Sequence, residues 1–166
     1  MSEKVIYQHR FDNIESYLHH RSPWLMVNQI VSIESDSVVT EHLVKESAAY
    51  IEGHFPGAPI MPGSVMQEFS TQSAGILIAA NFNPMEKYDT HDPHFNEYAL
   101  GVLVKIKRAR YRGFGRPGET IRASVTLDQQ IGDLFDFSCR LTIDDRKIME
   151  NQFQLTNMLS SKLRGE

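Results

Sequence analysis

Residues 53–80 read GHFPGAPIMPGSVMQEFSTQSAGILIAA and decide the fold. The first part of this stretch is a loop, since three prolines and two glycines between residues 52 and 62 restrict its backbone and hold His54 in place. Residues 64–80 contain a single glycine and are apolar over more than one face, which predicts a buried helix. Ser64 is the candidate N-cap of this helix.

Two side chains in this stretch predict acid–base chemistry. Imidazole titrates near neutral pH, so His54 can take up a proton. Glu68 lies among apolar residues of the helix, where burial is expected to raise the pKa of a carboxyl toward its neutral, proton-donating form. Taken alone, each residue also has a non-catalytic interpretation: His54 as an ordinary loop histidine and Glu68 as a partly exposed helix carboxylate.

Composition limits the classes of protein. The 166 residues, 41% of them hydrophobic, predict one domain spanning residues 1–166 with a sizeable core. The formal net charge of -4 argues against general nucleic-acid binding. The single cysteine, Cys139, excludes an intramolecular disulfide and a cysteine-rich zinc site, and it is expected to be a buried strand residue.

The sequence predicts a cytoplasmic protein that does not insert into membranes. The N-terminus quickly becomes charged, at Glu3 and Lys4, and lacks the apolar run of a secretion signal. The long apolar segment contains too many polar residues, among them Gln67, Thr71 and Ser73, to span a bilayer.

Periodicity predicts an α+β domain. Frequent apolar and β-branched residues indicate an antiparallel pair, 24–33 with 38–44. Further strands are predicted at 98–111, at 120–127 and 134–143, where apolar residues alternate, and through residues 149–155. Turns are expected at Gly132-Asp133 and Asp144-Asp145.

Three segments outside these strands have their own predictions. The sequence Asp12-Asn13-Ile14-Glu15 is typical of a capping box, which predicts a short helix through Leu18. Residues 81–96 form a polar excursion that is either a lid or a mobile surface loop. The tail from about residue 160 is expected to be frayed.

Several motifs identify a family. Residues 20–25 read HRSPWL, residues 53–63 read GHFPGAPIMPG, Glu68 and Gln72 follow, and residues 109–119 run from ARY to RPGE. Together they resemble the hot-dog-fold 3-hydroxyacyl-[acyl-carrier-protein] dehydratases of type II fatty-acid synthesis, in the non-isomerising branch that carries glutamate. The resemblance implies an antiparallel sheet wrapped around one long central helix.

The resemblance also implies a reaction, the elimination of water from a 3-hydroxyacyl thioester to give a trans-2-enoyl thioester. His54 would remove the C2 proton and Glu68 would protonate the departing hydroxyl. The Gly63 amide, at the helix start, would stabilise charge on the thioester oxygen. No metal or organic cofactor is implied.

Four further residues are assigned to the site. Ser64 and Phe55 would border the substrate, and the Ile60 carbonyl would accept a hydrogen bond from the imidazole and fix its tautomer. Gln72 lies one helical turn from Glu68, where it either orients the carboxyl or makes an ordinary helix hydrogen bond.

The implied partners are acyl carrier protein bearing a 3-hydroxyacyl chain and a second copy of the chain. Family members share two active sites across a homodimer, an arrangement compatible with a trimer of dimers. The basic residues of the predicted strand 98–111 and beyond either steer an acidic carrier or protect a solvated strand edge; they are Lys105, Lys107, Arg108, Arg110, Arg112 and Arg116.

Alternatives remain open at the level of sequence. A hot-dog acyl thioesterase would use Glu68 to activate water, and a non-catalytic homologue would bind the acyl carrier without chemistry. His91 and His94, like the His19-His20 pair, are weak metal-ligand candidates and are interpreted as surface residues. Phe69 is expected to narrow the acyl site, and the pathway is either bulk fatty-acid synthesis or a specialised lipid or polyketide route.

Overall fold

The computed structural model describes residues 4–166. A 3₁₀ turn at Ile14–Ser16 is followed by strands β1 (Gln29–Ile33) and β2 (Ser37–Leu43), the single-turn helix α1 (Ala49–Glu52) and the 19-residue helix α2 (Gly63–Asn81). Four strands come next, namely β3 (Tyr98–Tyr111), β4 (Thr120–Ile131), β5 (Leu134–Ile143) and β6 (Arg146–Leu159), and then helix α3 (Ser160–Arg164).

All strands join one antiparallel six-stranded sheet in the order β1-β2-β4-β5-β6-β3. The alternation predicted for β5 and β6 is observed, since every second side chain faces inward and is buried. Asp144 and Asp145 both have positive φ, 46° and 63°, as the tight turn between β5 and β6 requires.

Helix α2 is the centre of the core. Its residues from Val65 to Asn81 are buried with the exception of Glu68, which is half-buried. The sheet curves around the helix, and Phe137 of β5 and Phe153 of β6 are among the fully buried side chains on its inner face. The predicted sheet around one long buried helix is therefore confirmed.

Polar side chains of α2 are satisfied within this core. Ser70, Thr71 and Ser73 each donate to the carbonyl four residues earlier in the helix, at 2.7–3.0 Å. Gln67 accepts a hydrogen bond from Asn151 of β6 at 2.8 Å. The polarity that argued against a bilayer span is accommodated by these bonds, and no helix of the described residues is long and apolar enough to cross a membrane.

Two predictions about helix starts are wrong. The predicted capping box does not form: the short 3₁₀ turn starts after Asn13, which makes no side-chain cap, and the Phe11 amide before it donates to the Tyr17 hydroxyl at 2.8 Å. Ser64 is not the N-cap of α2. Pro62 occupies that position with φ -59° and ψ 144°, so the helix begins at Gly63, one residue before Ser64.

The tail and the polar excursion are more ordered than expected. Instead of fraying, residues 160–164 form α3, which the Ser160 amide anchors to the Glu97 carbonyl at 2.8 Å. In the excursion, Asn96 receives the Asp89 amide at 3.0 Å and donates to the Asp89 carbonyl at 2.7 Å. Its amide also lies 3.1 Å from His19, so the excursion is tied to the N-terminal segment.

Candidate active site

The His54 loop is held by its own backbone. Ile60 donates its amide to the His54 carbonyl at 2.9 Å, and Phe55 and Ala58 exchange backbone hydrogen bonds at 3.2 and 2.9 Å. The His54–Phe55 peptide bond is cis, and the Phe55 ring stacks on the imidazole with centroids 4.1 Å apart. Gly57 has φ +79°, a conformation that glycine adopts without strain.

The loop fixes the tautomer of His54. The Nδ1 atom lies 3.0 Å from the Ile60 carbonyl oxygen, which can only accept, so Nδ1 carries the proton in the neutral ring. Nε2 is then left with a lone pair. The imidazole is half-buried and can accept a proton at Nε2.

The start of α2 offers free amides beside this loop. Neither Gly63 nor Ser64 donates a backbone hydrogen bond to any group in residues 4–166. The Tyr111 ring closes over the helix start, and its hydroxyl donates to the Gly63 carbonyl at 3.2 Å. A Cβ at residue 63 would meet the Tyr111 ring at 2.9 Å, so any other residue there would displace this ring.

Glu68 is held by two side chains. The Gln72 amide donates to its Oε1 at 2.8 Å, and Nε2 of His20 lies 3.4 Å from the same oxygen. Burial raises the pKa of the Glu68 carboxyl, but the hydrogen bonds from His20 and Gln72 favour the ionised form and hold the pKa below its usual value. The expectation of a raised Glu68 pKa is therefore wrong for a single protomer, because the hydrogen-bond donors outweigh the effect of burial.

A cavity of about 450 Å³ opens at Glu68. Its walls come from α2, the first half of β3, the N-terminal segment and α3, and the apolar members include Leu18, Leu100 and Val102. The Gly75 and Gly101 backbones approach closely and form part of the same wall. His54 is not among the lining residues, so one protomer presents its imidazole and its carboxylate in different places.

The model of one protein family covers this chain. The FabA-like domain matches residues 18–152. The chain belongs to the FabA-like domain family. Among curated relatives, the 3-hydroxyacyl-[acyl-carrier-protein] dehydratases FabZ of Rickettsia bellii (strain OSU 85-389) and Rickettsia massiliae (strain Mtu5) are each 29% identical over 150 residues, which is 90% of this chain and 94% of theirs.

Solved structures show the same architecture for this FabA-like domain. The dehydratase heterocomplex ApeI:P from Xenorhabdus doucetiae superposes with a TM-score of 0.74 at 15% identity, covering 94% of this chain and 97% of that one. The E. coli PaaI protein gives a TM-score of 0.58 at 11% identity, covering 77% and 81%. At such identities the likeness concerns the fold, which is the predicted hot-dog fold.

Phe69 does not line the Glu68 cavity. Its side chain is fully buried, lies outside the cavity lining and packs against the His42 ring, with centroids 5.5 Å apart. The physical reason is its place on α2, one residue after Glu68 and therefore about 100° around the helix from it. Tyr88, from the excursion, lines the cavity instead.

The basic residues differ in their surroundings. Lys107 pairs with Asp136 at 2.6 Å, and Arg112 pairs with Glu150 at 3.1 Å. Lys105, Arg108 and Arg110 form no ion pair with any of residues 4–166. All lie on or just beyond β3, which has only β6 as a neighbour, so they are placed at a sheet edge as the sequence indicates.

Sequence reasoning missed two polar contacts near the site. The sequence presents His20 as a motif residue and a weak metal-ligand candidate, whereas its imidazole lies beside Glu68. No sequence motif marks His42 or Tyr50, yet their side chains bind each other close to the His54 loop. Within residues 4–166, no group of three or more ligating side chains is arranged to hold a metal ion.

Proposed function

We propose that the chain is a 3-hydroxyacyl-[acyl-carrier-protein] dehydratase that works without a cofactor and releases a trans-2-enoyl thioester. The observation that carries the proposal is the His54 imidazole, pinned through Nδ1 so that Nε2 is the free base, next to unused amides at the start of α2. Membership of the FabA-like family and the FabZ relatives support the same reaction.

The base and the oxyanion donors act on the first half of the reaction. Nε2 of His54 removes the C2 proton, and negative charge moves onto the thioester oxygen. The Gly63 amide is suited to receive that oxygen because it has no other acceptor and lies at the positive end of α2. The bare Gly63 backbone also lets the thioester approach closely.

The carboxyl group acts on the second half. Glu68 must protonate the departing hydroxyl, so it has to be neutral at that moment. An acyl chain that displaces water from the cavity increases the burial of Glu68, and burial raises the pKa of this carboxyl. His20, 3.4 Å away, is placed to pass a proton to it.

The two halves of the site belong to different protomers in this proposal. The first half of β3 lines the Glu68 cavity, and its exposed edge carries Leu103, Val104 and Ile106, which are 37%, 47% and 49% exposed. A two-fold pairing along this edge buries these side chains and brings the partner's His54 to the cavity. One dimer then holds two equivalent sites.

The central test is turnover of 3-hydroxyacyl carrier protein followed by mass spectrometry, with acyl chains of several lengths. Loss of water supports the dehydratase, release of free acid would indicate a thioesterase, and an unchanged bound ligand would indicate a binding module. His54→Ala and Glu68→Gln should each lower kcat by about 10²–10⁴-fold.

Mixing the two variants tests the shared sites. After subunit exchange, a mixed dimer has one site that lacks both groups and one intact site. With random exchange, half the dimers are mixed, so activity should recover to about a quarter of wild type. Mixed dimers that stay as inactive as the parents would contradict a site built from two protomers.

A further inference from the structure

A hydrogen-bonded pair, the buried His42 and the half-buried Tyr50, connects β2 to the helix that precedes the His54 loop. His42 projects from β2 and is 5% exposed. Its Nδ1 lies 2.5 Å from the Met26 carbonyl oxygen, and its Nε2 lies 2.5 Å from the Tyr50 hydroxyl. Neither side chain lines the Glu68 cavity, so the pair has no direct access to a ligand there.

The direction of these hydrogen bonds follows from the acceptors. A carbonyl oxygen cannot donate, so Nδ1 of His42 carries the proton and Nε2 accepts from the Tyr50 hydroxyl. Burial lowers the pKa of His42 and raises the pKa of Tyr50 to about 12. Both groups are therefore neutral near pH 7, and one arrangement of protons satisfies them.

Met26 connects the pair to the side chain that supports Glu68. His42 binds the Met26 carbonyl, and the Met26 amide donates to Oε1 of Gln72 at 2.8 Å. Nε2 of Gln72 then donates to Glu68 at 2.8 Å. The Met26 carbonyl and amide belong to successive peptide groups, so the backbone of this one residue joins the two sets of hydrogen bonds.

At its other end the pair reaches the His54 loop. Tyr50 belongs to α1, a helix of four residues with no side-chain cap, in which only Ile51 is buried. The His54 amide donates to the Ile51 carbonyl at 3.0 Å, so the loop begins on this turn. A single uncapped turn has little stability of its own and needs an external tie.

We propose that His42 and Tyr50 are positioning residues for the dehydration reaction, holding α1 and the His54 loop at a fixed place relative to β2 and to the support of Glu68. This inference rests on the proposed function. A misplacement of the base by about 1 Å costs about 10²-fold in rate, so loss of the tie should appear in kcat. Because the pair does not line the cavity, KM should change little.

Two substitutions cut the same bond from opposite sides. Tyr50→Phe removes the hydroxyl donor, and His42→Asn removes the acceptor while keeping an amide that can bind the Met26 carbonyl. Each should lower kcat by about 10–100-fold with KM unchanged within about 2-fold. The double variant should be no slower than the slower single variant, because one interaction is lost in all three. Tyr7→Phe is the matched control, since the Tyr7 hydroxyl forms no side-chain hydrogen bond within residues 4–166.

Imidazole ¹⁵N NMR of the resting protein provides a readout that a purely structural role would not move. In wild type, His42 should show the Nδ1–H tautomer and resist protonation, and His54 should also show Nδ1–H. In Tyr50→Phe, the loop keeps its internal hydrogen bonds but loses its fixed place, so the His54 ring signals should change in chemical shift and broaden while the circular dichroism of the fold is retained.

The outcomes separate this inference from the proposed function. Dehydration by wild type together with full kcat in Tyr50→Phe would overturn the positioning role and leave the function standing. Additive losses in the double variant, or a His42 that titrates like a free imidazole, would also overturn it. If wild type has no dehydratase activity, the proposed function fails. Even then, the NMR measurement tests the positioning role, because unchanged His54 signals in Tyr50→Phe would refute the link between Tyr50 and the His54 loop.

Discussion

The close contact between β3 and α2 predicts the cost of adding one methyl group at Gly101. Gly101 has φ +69°, and a Cβ there would lie 3.2 Å from the Gly75 Cα and 3.6 Å from Leu155. The left-handed conformation alone costs a non-glycine residue about 1–2 kcal/mol. The contact is with helix backbone, which cannot yield unless α2 moves, and overpacking of this kind costs about 1–3 kcal/mol more. Gly101→Ala should therefore lower the free energy of unfolding by about 2–5 kcal/mol.

Gly118 supplies the matched control. It has φ +89°, but a Cβ there meets nothing within 4 Å, so Gly118→Ala incurs only the backbone cost of about 1–2 kcal/mol. Urea unfolding followed by circular dichroism, at one fixed protein concentration, gives both values, with equal m-values as a check on the comparison. If the two variants agree within about 0.5 kcal/mol, the close approach of strand and helix contributes nothing and the reasoning fails.

Three further predictions follow from buried and charged side chains. Burial raises the pKa of the Cys139 thiol to about 12, so the folded protein at pH 8 should resist a thiol reagent. Labelling should appear only when urea unfolds the protein, and fast labelling of the native state would contradict the burial. Gln72→Leu removes hydrogen bonds to the Met26 amide, the Trp24 carbonyl and Glu68, so it should cost about 2–4 kcal/mol in urea unfolding and also lower kcat, whereas Gln67→Leu should lose stability but retain kcat. Arg108→Glu combined with Arg110→Glu should raise KM for the acyl carrier protein several-fold, and added salt should reduce this effect. KM for a short pantetheine thioester should stay constant. Equal KM changes for both substrates would exclude steering by these charges.

The strands were predictable because their pattern is local. Apolar alternation gave β5 its observed bounds, since a half-buried strand needs an inward side chain at every second position. β3 also has the predicted bounds, although its side chains are half-buried or exposed throughout. The Asp144-Asp145 turn was equally readable, because aspartate tolerates positive φ better than most residues. The buried helix followed from apolar residues on more than one face.

The errors arose where tertiary contacts overrode local signals. The capping box at residues 12–15 does not form, and the contact found there is a hydrogen bond from the Phe11 amide to the Tyr17 hydroxyl. The tail was expected to fray, yet the Glu97 carbonyl anchors it. In both cases the deciding partner is a side chain or a carbonyl whose position no local pattern reports.

The candidate site shows the same division. The His54–Ile60 hydrogen bond was expected from the motif, because both residues lie on one short loop. The approach of His20 to Glu68 depends on how the N-terminal segment crosses α2, which the sequence does not encode as a spacing. The lowered pKa of Glu68 depends in part on the same contact, because burial and the Gln72 donor can be read from the sequence and the His20 donor cannot.

The polar residues buried along α2 have a consequence for how accurately the protein places its acid. Ser73 binds Thr40 of β2 at 2.7 Å, and Gln67 binds Asn151 of β6. These two strands therefore hold the helix at fixed positions along its axis. Sliding or rotating α2 would break these bonds and leave unpaired polar groups in the interior. An alanine-rich helix of the same length would lack these hydrogen bonds and could slide or rotate without breaking them. Glu68 belongs to this helix, so its position is set by hydroxyl and amide hydrogen bonds that lie far from any substrate.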